Sequence, residues 1–179
     1  MRKLSLKELN RLSVDEFKNV EKTPIVLVLD NIRSALNVGS AFRTSDAFAL
    51  EKIFLCGITA QPPHREILKT AIGATESVVW EYQKETTDAI HQLKKEGYKL
   101  IAIEQAEGST PLQIFEPQAN EKYALIFGNE VAGVSDAAME QVDLCLEVPQ
   151  YGTKHSLNIS VCVGVVVWDL FQKMKFPKT

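Results

Sequence analysis

The sequence predicts an α/β domain whose sheet is mostly parallel and flanked by helices. Short, unbroken apolar runs such as Ile25–Asp30 and Tyr123–Phe127 are typical of strands that are covered on both faces. Segments with helical patterns separate these runs along the chain, which is the alternation expected of a parallel sheet. The length of 179 residues fits one domain of ordinary size, with a core that needs neither disulfides nor a metal.

Residues 1–22 are predicted to form an N-terminal helical extension to a domain that spans residues 23–179. The leucines at positions 6, 9 and 12 within Ser5–Leu12 have helical spacing. The segment from Ser13 to Glu16 has the form of a capping box, which predicts the start of a second short helix. Pro24 then precedes the first predicted strand.

The remaining elements alternate between strands and helices. After the first strand, Asn31–Ser40 is predicted to be a polar loop, and the small and aromatic residues of Ala41–Phe48 suit a helix packed closely on the sheet. The further predicted strands are Lys52–Cys56, Val78–Tyr82, Lys99–Ile103, Tyr123–Phe127 and Leu144–Val148, and the further predicted helices are Ile67–Ala71, Thr86–Gly97 and a short one opening near Ser135.

The segment Val161–Leu170 is part of the most apolar stretch of the chain. Its β-branched residues favour a strand, whereas its length and the polar residues that follow favour a buried helix ending in solvent. We interpret it as a helix. It is too short, and too close to Asp169, to span a bilayer, which takes about 20 apolar residues.

Composition places the chain among globular proteins, with 45% hydrophobic and 24% charged residues. No terminal segment has the pattern of a secretory signal, so a cytoplasmic protein is expected. Cys56, Cys145 and Cys162 are odd in number and lack C-x-x-C spacing, which predicts reduced core residues and no metal site. The net charge of −3 argues against coating nucleic acid non-specifically, although it leaves room for a local basic patch.

Candidate functional residues cluster after three strands. Ligands of open α/β sheets bind beyond the carboxyl ends of the strands, which selects the loops after Asp30, Phe127 and Val148. These loops contain Asn37, Gly39 and Arg43, then Gly128, Asn129, Glu130 and Gly133, and then Tyr151, Gly152, Lys154, His155, Ser156 and Asn158. Neither glycine-rich nucleotide motif is present. His155 beside Ser156 suggests a hydrolase, but adjacent side chains seldom meet and no G-x-S-x-G surrounds the serine.

Simpler interpretations exist for several of these residues. Asn158 can be an ordinary N-cap of the following apolar helix. Asn37 can be a turn residue that stabilises its own loop. Arg43 can be a surface cation or a partner for Asp46, three residues further along a helix.

Taken together, the three loops resemble the three motifs of the SpoU/TrmH family of RNA ribose 2′-O-methyltransferases, within the SPOUT superfamily. The motifs stand in this sequence as Asn37–Thr44, Leu125–Gly133 and Val148–Val161. The match also includes Lys69–Ala74, and it covers most of the chain from about residue 24 to 170. Three ordered motifs are far more specific than any single one.

The resemblance implies a fold and an activity. The C-terminal part of the sheet would be threaded as a deep trefoil knot, an exception to the general rule against knotted chains. The resemblance also implies a homodimer with each site near the interface, and S-adenosylmethionine bound in a bent form by the knotted loops. We expect a ribose 2′-O-methyltransferase acting on tRNA, with rRNA as the alternative substrate and a non-catalytic RNA-binding protein of the same fold as the alternative function.

The resemblance also points to individual residues. The expected cofactor-binding residues are Gly128, Glu130, Val148, Ser156, Leu157 and Asn158, and the expected catalytic residues are Asn37, Arg43, Glu130, Ser156 and Asn158. Arg43 could act as the base for the ribose hydroxyl or clamp the adjacent phosphate, and the sequence leaves both open. A local basic surface formed by Arg33, Arg43, Arg65, Lys69 and Lys154 is expected to bind RNA. His155 departs from the family, because many relatives have an acidic residue there.

Overall fold

The computed structural model describes residues 1–5 and 7–176, and it confirms the predicted α/β class. The strands are β1 (Thr23–Asp30), β2 (Leu50–Cys56), β3 (Trp80–Gln83), β4 (Tyr98–Ile103), β5 (Thr110–Pro111), β6 (Lys122–Phe127) and β7 (Leu144–Glu147). They form one seven-stranded sheet in the order β3-β2-β1-β6-β4-β7-β5. Every neighbouring pair in this sheet is parallel.

Helices cover both faces of the sheet. They are α1 (Val14–Asn19), α2 (Ala35–Ala47), α3 (Arg65–Ala71), α4 (Ala74–Ser77), α5 (Thr86–Lys95), α6 (Asp136–Met139) and α7 (Ile159–Lys175), with short 3-10 helices at Lys7–Leu9 and Leu112–Ile114. Within the described residues, none of these helices combines the length and the apolar character needed to cross a membrane.

The alternation of side chains along β1 explains the two layers. Ile25, Leu27 and Leu29 are buried on the face that α2, α3 and α7 cover. Val26 and Val28 are buried on the opposite face, among residues of α5 and α6. Because successive residues of a strand point to opposite faces, a strand covered on both sides has to be apolar throughout.

The predicted capping box is confirmed. Ser13 N–H donates to the Glu16 carboxylate at 2.8 Å, and Glu16 N–H donates to Ser13 Oγ at 3.3 Å. This exchange starts helix α1. The division of the chain at residue 22 stays a prediction, although β1 begins at Thr23.

The helix predicted within Ser5–Leu12 is wrong for most of its length. The described residues of this segment contain a single 3-10 turn, Lys7–Leu9, while Leu6 lies outside the described residues. Leu9 and Leu12 are exposed, so these two side chains cover no core. Helices this short are unstable in water unless they pack against something, which explains the difference.

The polar loop predicted for Asn31–Ser40 is also too long. Helix α2 already begins at Ala35, and Ser34 is its N-cap, with its hydroxyl accepting from Asn37 N–H at 3.3 Å. Asn37 is therefore a residue of the first helical turn and not a turn residue of a loop.

Gly39 allows α2 to lie close to α3. A Cβ atom at Gly39 would be 2.2 Å from Thr70 Oγ1 and 2.4 Å from the Ile67 carbonyl oxygen, so any side chain would separate the helices. The glycine therefore serves helix packing and not the flexibility of a loop.

Other element boundaries differ by a few residues. The predicted strand Val78–Tyr82 is shifted in the structure, because Val78 still belongs to the end of α4, where its N–H donates to Ala74 O. Strand β5 was not predicted, since its two residues form no apolar run. The predicted C-terminal helix is confirmed and extends at both ends to form α7.

The C-terminal half of the chain crosses over itself. After β4 the chain runs to the edge strand β5 and returns to β6 beside β1, while β7 later enters between β4 and β5. Helix α7 then packs against α2 on one face. Lys173 Nζ fixes α7 to the returning segment by donating to Leu112 O at 3.0 Å and Phe115 O at 2.8 Å, and it forms a salt bridge with Asp169 at 2.7 Å.

We predict that Lys173→Ala lowers the free energy of unfolding by about 2–4 kcal/mol, because it leaves a largely buried carboxylate and two carbonyl groups without their cation. Urea denaturation measures this change. Lys175→Ala, an exposed residue of the same helix, serves as the control and should change stability by less than about 0.5 kcal/mol. Equal effects of the two substitutions would contradict the role given to Lys173.

Candidate functional site

A cavity of about 720 Å³ lies at the carboxyl ends of β4, β6 and β7. Its volume is in the range of small-molecule sites. The apolar part of its wall comes from Ile103, Phe127, Val148, Leu157, Ile159 and Cys162. The polar part comes mainly from the loops that follow β6 and β7, so the rule for open α/β sheets locates this cavity correctly.

Glu130 connects the loop after β6 to the N-terminus of α2. Its carboxylate accepts from Arg33 N–H at 2.9 Å, from Ser34 N–H at 3.1 Å and from the Asn37 amide at 3.0 Å. Partial burial raises the pKa of Glu130, but these hydrogen bonds outweigh it and hold the pKa below the ordinary value. The side chain therefore stays ionised at neutral pH and is a poor proton acceptor there.

Asn37 joins this contact to the start of α7. Its amide nitrogen donates to Glu130, and its oxygen accepts from the Asn158 amide at 3.3 Å. Asn158 is the N-cap of α7 and accepts from Ser160 N–H at 2.9 Å. The N-cap interpretation of Asn158 is thus correct, and the same side chain lines the cavity.

Asn129 makes the loop after β6 rigid. Its N–H and carbonyl exchange two hydrogen bonds with Gly133, both at 2.9 Å. Its side chain donates to Asn31 O at 2.7 Å and accepts from Val131 N–H at 2.9 Å. The loop is closed by its own backbone and tied to the end of β1.

Gly128 has no room for a side chain. A Cβ atom there would lie 2.0 Å from Val134 N and 2.1 Å from the Gly133 carbonyl carbon. The glycine is required because the loop folds back on itself, independently of any ligand.

The loop after β7 is exposed and is held to the loop after β4 by one hydrogen bond. Gln105 Nε2 donates to His155 O at 2.6 Å. Lys154, His155 and Ser156 line the cavity, whereas Tyr151 is almost fully exposed to solvent. This loop therefore forms a wall of the cavity that has few contacts with the rest of the chain.

The cavity brings together most of the predicted site residues. Its wall includes Gly128, Glu130, Val148, Ser156, Leu157 and Asn158, together with Lys154. Asn37 contacts this wall through two of these side chains. The roles predicted for these residues stay predictions.

Arg43 lies elsewhere. It shares with Lys69 a groove of about 430 Å³ between α2 and α3, whose hydroxyl groups come from Ser40, Thr44 and Thr70. The suggested pairing of Arg43 with Asp46 is wrong, because in the described part of the chain no salt bridge includes Arg43 and the Asp46 carboxylate accepts from the Ser77 hydroxyl.

The other predicted RNA-binding residues lie in two places. Arg33 is exposed beside the start of α2, where its backbone N–H bonds to Glu130. Arg65 is exposed at the first position of α3, four residues before Lys69.

Glu104 is a cavity residue that the sequence analysis did not identify. It follows β4, lines the cavity and is half-buried. One carboxylate oxygen accepts from Gln105 N–H at 2.9 Å, and the other accepts from Val134 N–H at 3.1 Å. The rule that selected the other loops also selects the end of β4, so it could have identified this residue.

The three cysteines are free, and Cys56 is a buried core residue as predicted, whereas Cys145 and Cys162 are partly exposed. Burial raises the pKa of Cys162 to about 11 and that of Cys56 to about 12. Cys162 therefore contributes an apolar surface to the cavity. Across residues 1–5 and 7–176, no group of three or more His, Cys, Asp or Glu side chains is arranged to hold a metal ion.

Comparison with known proteins identifies the relatives of this chain. The SpoU rRNA Methylase family matches residues 24–168. The chain is 34% identical over 145 residues to the 23S rRNA (guanosine(2553)-2'-O)-methyltransferase RlmP of Bacillus subtilis (strain 168), covering 81% of this chain and 57% of the relative. It is 26% identical over 162 residues to the tRNA (guanosine(18)-2'-O)-methyltransferase of Borreliella burgdorferi, covering 90% of this chain and 72% of the relative.

A similar fold occurs in a solved structure, the AdoMet-bound rRNA methyltransferase from Sinorhizobium meliloti. The TM-score is 0.78 at 23% identity, covering 88% of this chain and 59% of that one. The chain thus spans somewhat under three fifths of the length of this protein and of the Bacillus relative.

We predict that Gly128→Ala destabilises the protein by about 1–3 kcal/mol, because the added methyl group forces the loop after β6 away from its own backbone. Gly152→Ala is the matched control, since nothing lies within 4 Å of a Cβ atom at that position. Urea denaturation and the backbone amide chemical shifts of residues 128–134 measure the two effects. If Gly128→Ala leaves stability and these shifts as unchanged as Gly152→Ala does, the close approach is not a constraint.

Proposed function

The chain belongs to the SpoU rRNA methylase family, and we propose that it transfers a methyl group from S-adenosylmethionine to a ribose 2′-hydroxyl of RNA. The observation that carries this proposal is that the second and third motif loops meet at one cavity, and that Asn37 of the first motif is hydrogen-bonded to the wall of this cavity. Glu130, Asn37 and Asn158 form a continuous chain of hydrogen bonds beside it. The two curated relatives described above are named as 2′-O-methyltransferases.

The cavity suits this cofactor. Its apolar wall, with Ile103, Phe127 and Ile159, offers a surface for an adenine ring. The loops of Gly128 and of Ser156 to Asn158 offer backbone and hydroxyl groups for the polar parts of the ligand. When bound, S-adenosylmethionine supplies an electrophilic methyl group on a sulfonium.

The chain's own residues then hold the nucleophile. Methyl transfer needs an oxygen in line with the methyl group, so positioning supplies much of the rate. Asn37 and Asn158 have hydrogen-bonded amide groups at the edge of the cavity, where they can orient a ribose. Glu130 holds both amides beside the start of α2, and its lowered pKa makes it better suited to positioning than to accepting the hydroxyl proton. That proton passes to solvent as the oxygen–methyl bond forms and the sulfur–methyl bond breaks.

Arg43 suits a phosphate contact. Guanidinium groups keep their positive charge in proteins and bind phosphate oxygens in a bidentate manner. Arg43 is exposed and shares its groove with Lys69 and the hydroxyl groups of Thr44 and Thr70. We assign to this groove the RNA backbone next to the methylated nucleotide, and to Lys154 a second contact at the mouth of the cavity.

We favour tRNA as the substrate over rRNA. The tRNA-modifying relative matches this chain over 162 residues, compared with 145 residues for the rRNA-modifying relative. rRNA remains the alternative, because the rRNA-modifying relative has the higher identity of the two. A non-catalytic RNA-binding protein is disfavoured by the hydrogen-bonded Glu130, Asn37 and Asn158.

A homodimer is part of the proposal. Val161, Val165 and Trp168 lie on one face of α7 at helical spacing, and each is 40% exposed or more. Such a continuous apolar stripe on a helix is typical of an interface. A second copy of the chain, packed on α7 near the cavity, would cover it.

The crossing of the chain supports the trefoil knot. The segment between β4 and β6 reaches out to β5, and β7 enters between β4 and β5 before the chain returns to α7. We propose that this passage is threaded, which would leave the cavity walls little freedom to separate. We also place the protein in the cytoplasm, where its RNA substrate is found.

We predict that cells lacking the gene lose one 2′-O-methylnucleoside from tRNA, as measured by mass spectrometry of nucleosides from purified tRNA and rRNA. The intact gene should restore it, whereas a gene carrying Arg43→Ala should not. A loss from rRNA instead would identify rRNA as the substrate and leave the proposed activity unchanged. An unchanged nucleoside content in both RNA classes would contradict the proposed function.

A further inference from the structure

We propose that the Glu104 carboxylate binds the ribose hydroxyls of the cofactor, an inference that rests on the proposed function. Glu104 is a half-buried acidic side chain on the cavity wall, directly after the strand at the centre of the cavity. Nothing in the methyl transfer itself requires a carboxylate at this position. Its placement therefore calls for another explanation.

The Glu104 carboxylate is held in place by the protein, but it accepts fewer hydrogen bonds than a carboxylate can. Gln105 N–H and Val134 N–H each donate to a different oxygen, at 2.9 and 3.1 Å. An ionised carboxylate can accept about four hydrogen bonds, so each oxygen has a lone pair left. Gln105 and Val134 belong to two different loops of the cavity, and the side chain is thus held by the walls on both sides.

Gly133 lets the loop after β6 pass close to the Glu104 carboxylate. A Cβ atom at Gly133 would lie 2.4 Å from one Glu104 oxygen, and Gly133 has a φ of +73°, which favours glycine. The loop after β6 therefore passes over the carboxylate at a distance that no side chain permits.

The chemistry of the surroundings selects the ligand group. A carboxylate with free acceptor sites requires a donor, and a nucleoside ligand offers the two hydroxyls of its ribose as a neighbouring pair. In other α/β proteins an acidic residue near the end of a strand binds ribose hydroxyls in this way. The apolar surface of Ile103 and Cys162 lies on the same wall, which suits the adjoining base.

The ammonium group of the cofactor is the other donor that the Glu104 carboxylate could bind. Glu130 already lies on the side of the cavity where Asn37 and Asn158 are proposed to orient the reacting ribose. Glu104 instead contacts the C-terminal end of the Asn129–Gly133 loop, where Val134 N–H donates to its carboxylate. The reactive end of the cofactor belongs beside Asn37, which leaves the nucleoside end for Glu104.

Calorimetry with S-adenosylhomocysteine and its 2′-deoxy and 3′-deoxy analogues tests this inference. For the unmodified protein, we expect at least one deoxy analogue to bind about tenfold to a hundredfold more weakly than the parent ligand, as expected for loss of a hydrogen bond to a charged group. For Glu104→Gln, the parent ligand should bind more weakly and the difference between parent and deoxy analogue should largely disappear.

Two substitutions serve as controls. Glu147→Gln changes a half-buried glutamate at the end of the neighbouring strand β7, outside the cavity wall, and should keep the full difference between the ligands. Glu104→Asp keeps the charge but withdraws it by one methylene, so it should also reduce the difference between the parent ligand and the deoxy analogue. This variant replaces Glu104→Gln if the glutamine variant does not fold.

Several outcomes overturn the inference. If the unmodified protein binds the deoxy analogues as tightly as the parent, Glu104 does not contact the ribose, although the proposed function stands. If Glu104→Gln weakens all three ligands by the same factor, the residue only supports the loops. An analogue of S-adenosylhomocysteine that lacks the amino group tests the other donor. If Glu104→Gln weakens the parent ligand but not this analogue, the carboxylate contacts the ammonium group. If S-adenosylhomocysteine does not bind at all, the proposed function fails as well.

Discussion

The contact between the Glu130 carboxylate and the N-terminus of α2 is the interaction on which the site depends. The first N–H groups of a helix have no partner within the helix and carry a partial positive charge. Glu130 lies beside this end of α2, where it accepts from the backbone N–H groups of Arg33 and Ser34, just before the helix, and from the Asn37 amide within it. Asn37 in turn accepts from Asn158 at the start of α7. One carboxylate, through Asn37, therefore links the starts of two helices to the loop after β6.

The same contact determines how the site responds to pH. Because the folded-state pKa of Glu130 is lowered, its contribution to stability is complete above the ordinary glutamate pKa and is lost as the pH falls through the lowered value. The connection between the loops is thus fully formed at neutral pH. Protonation would remove the charge that attracts the start of α2, and it would release the loop after β6 from the helix that carries Arg43.

The sequence predicts the sheet well, because strands buried on both faces are apolar throughout and stand out as short runs. It also predicts which loops meet, since the carboxyl ends of parallel strands share one edge. Contacts such as that between Asn37 and Glu130, which are 93 residues apart, have no periodic signal. The separate groove of Arg43 follows from helix geometry: six residues are about 1.7 turns, so Arg43 and Asn37 project from different sides of α2. The prediction of a loop at Asn31–Ser40, where the structure has the start of α2, therefore did not show that Arg43 and Asn37 are separated.

The most direct test of this account is a carbon-13 NMR titration of the Glu130 carboxyl group, in the unmodified protein and in Asn37→Ala. The midpoint should lie below the ordinary glutamate value, and it should shift upward when the Asn37 amide is removed. Asn19→Ala, whose amide donates to the Asp15 carbonyl, is the control and should leave the midpoint unchanged. A midpoint at or above the ordinary value that does not respond to Asn37→Ala would contradict the central role of Glu130.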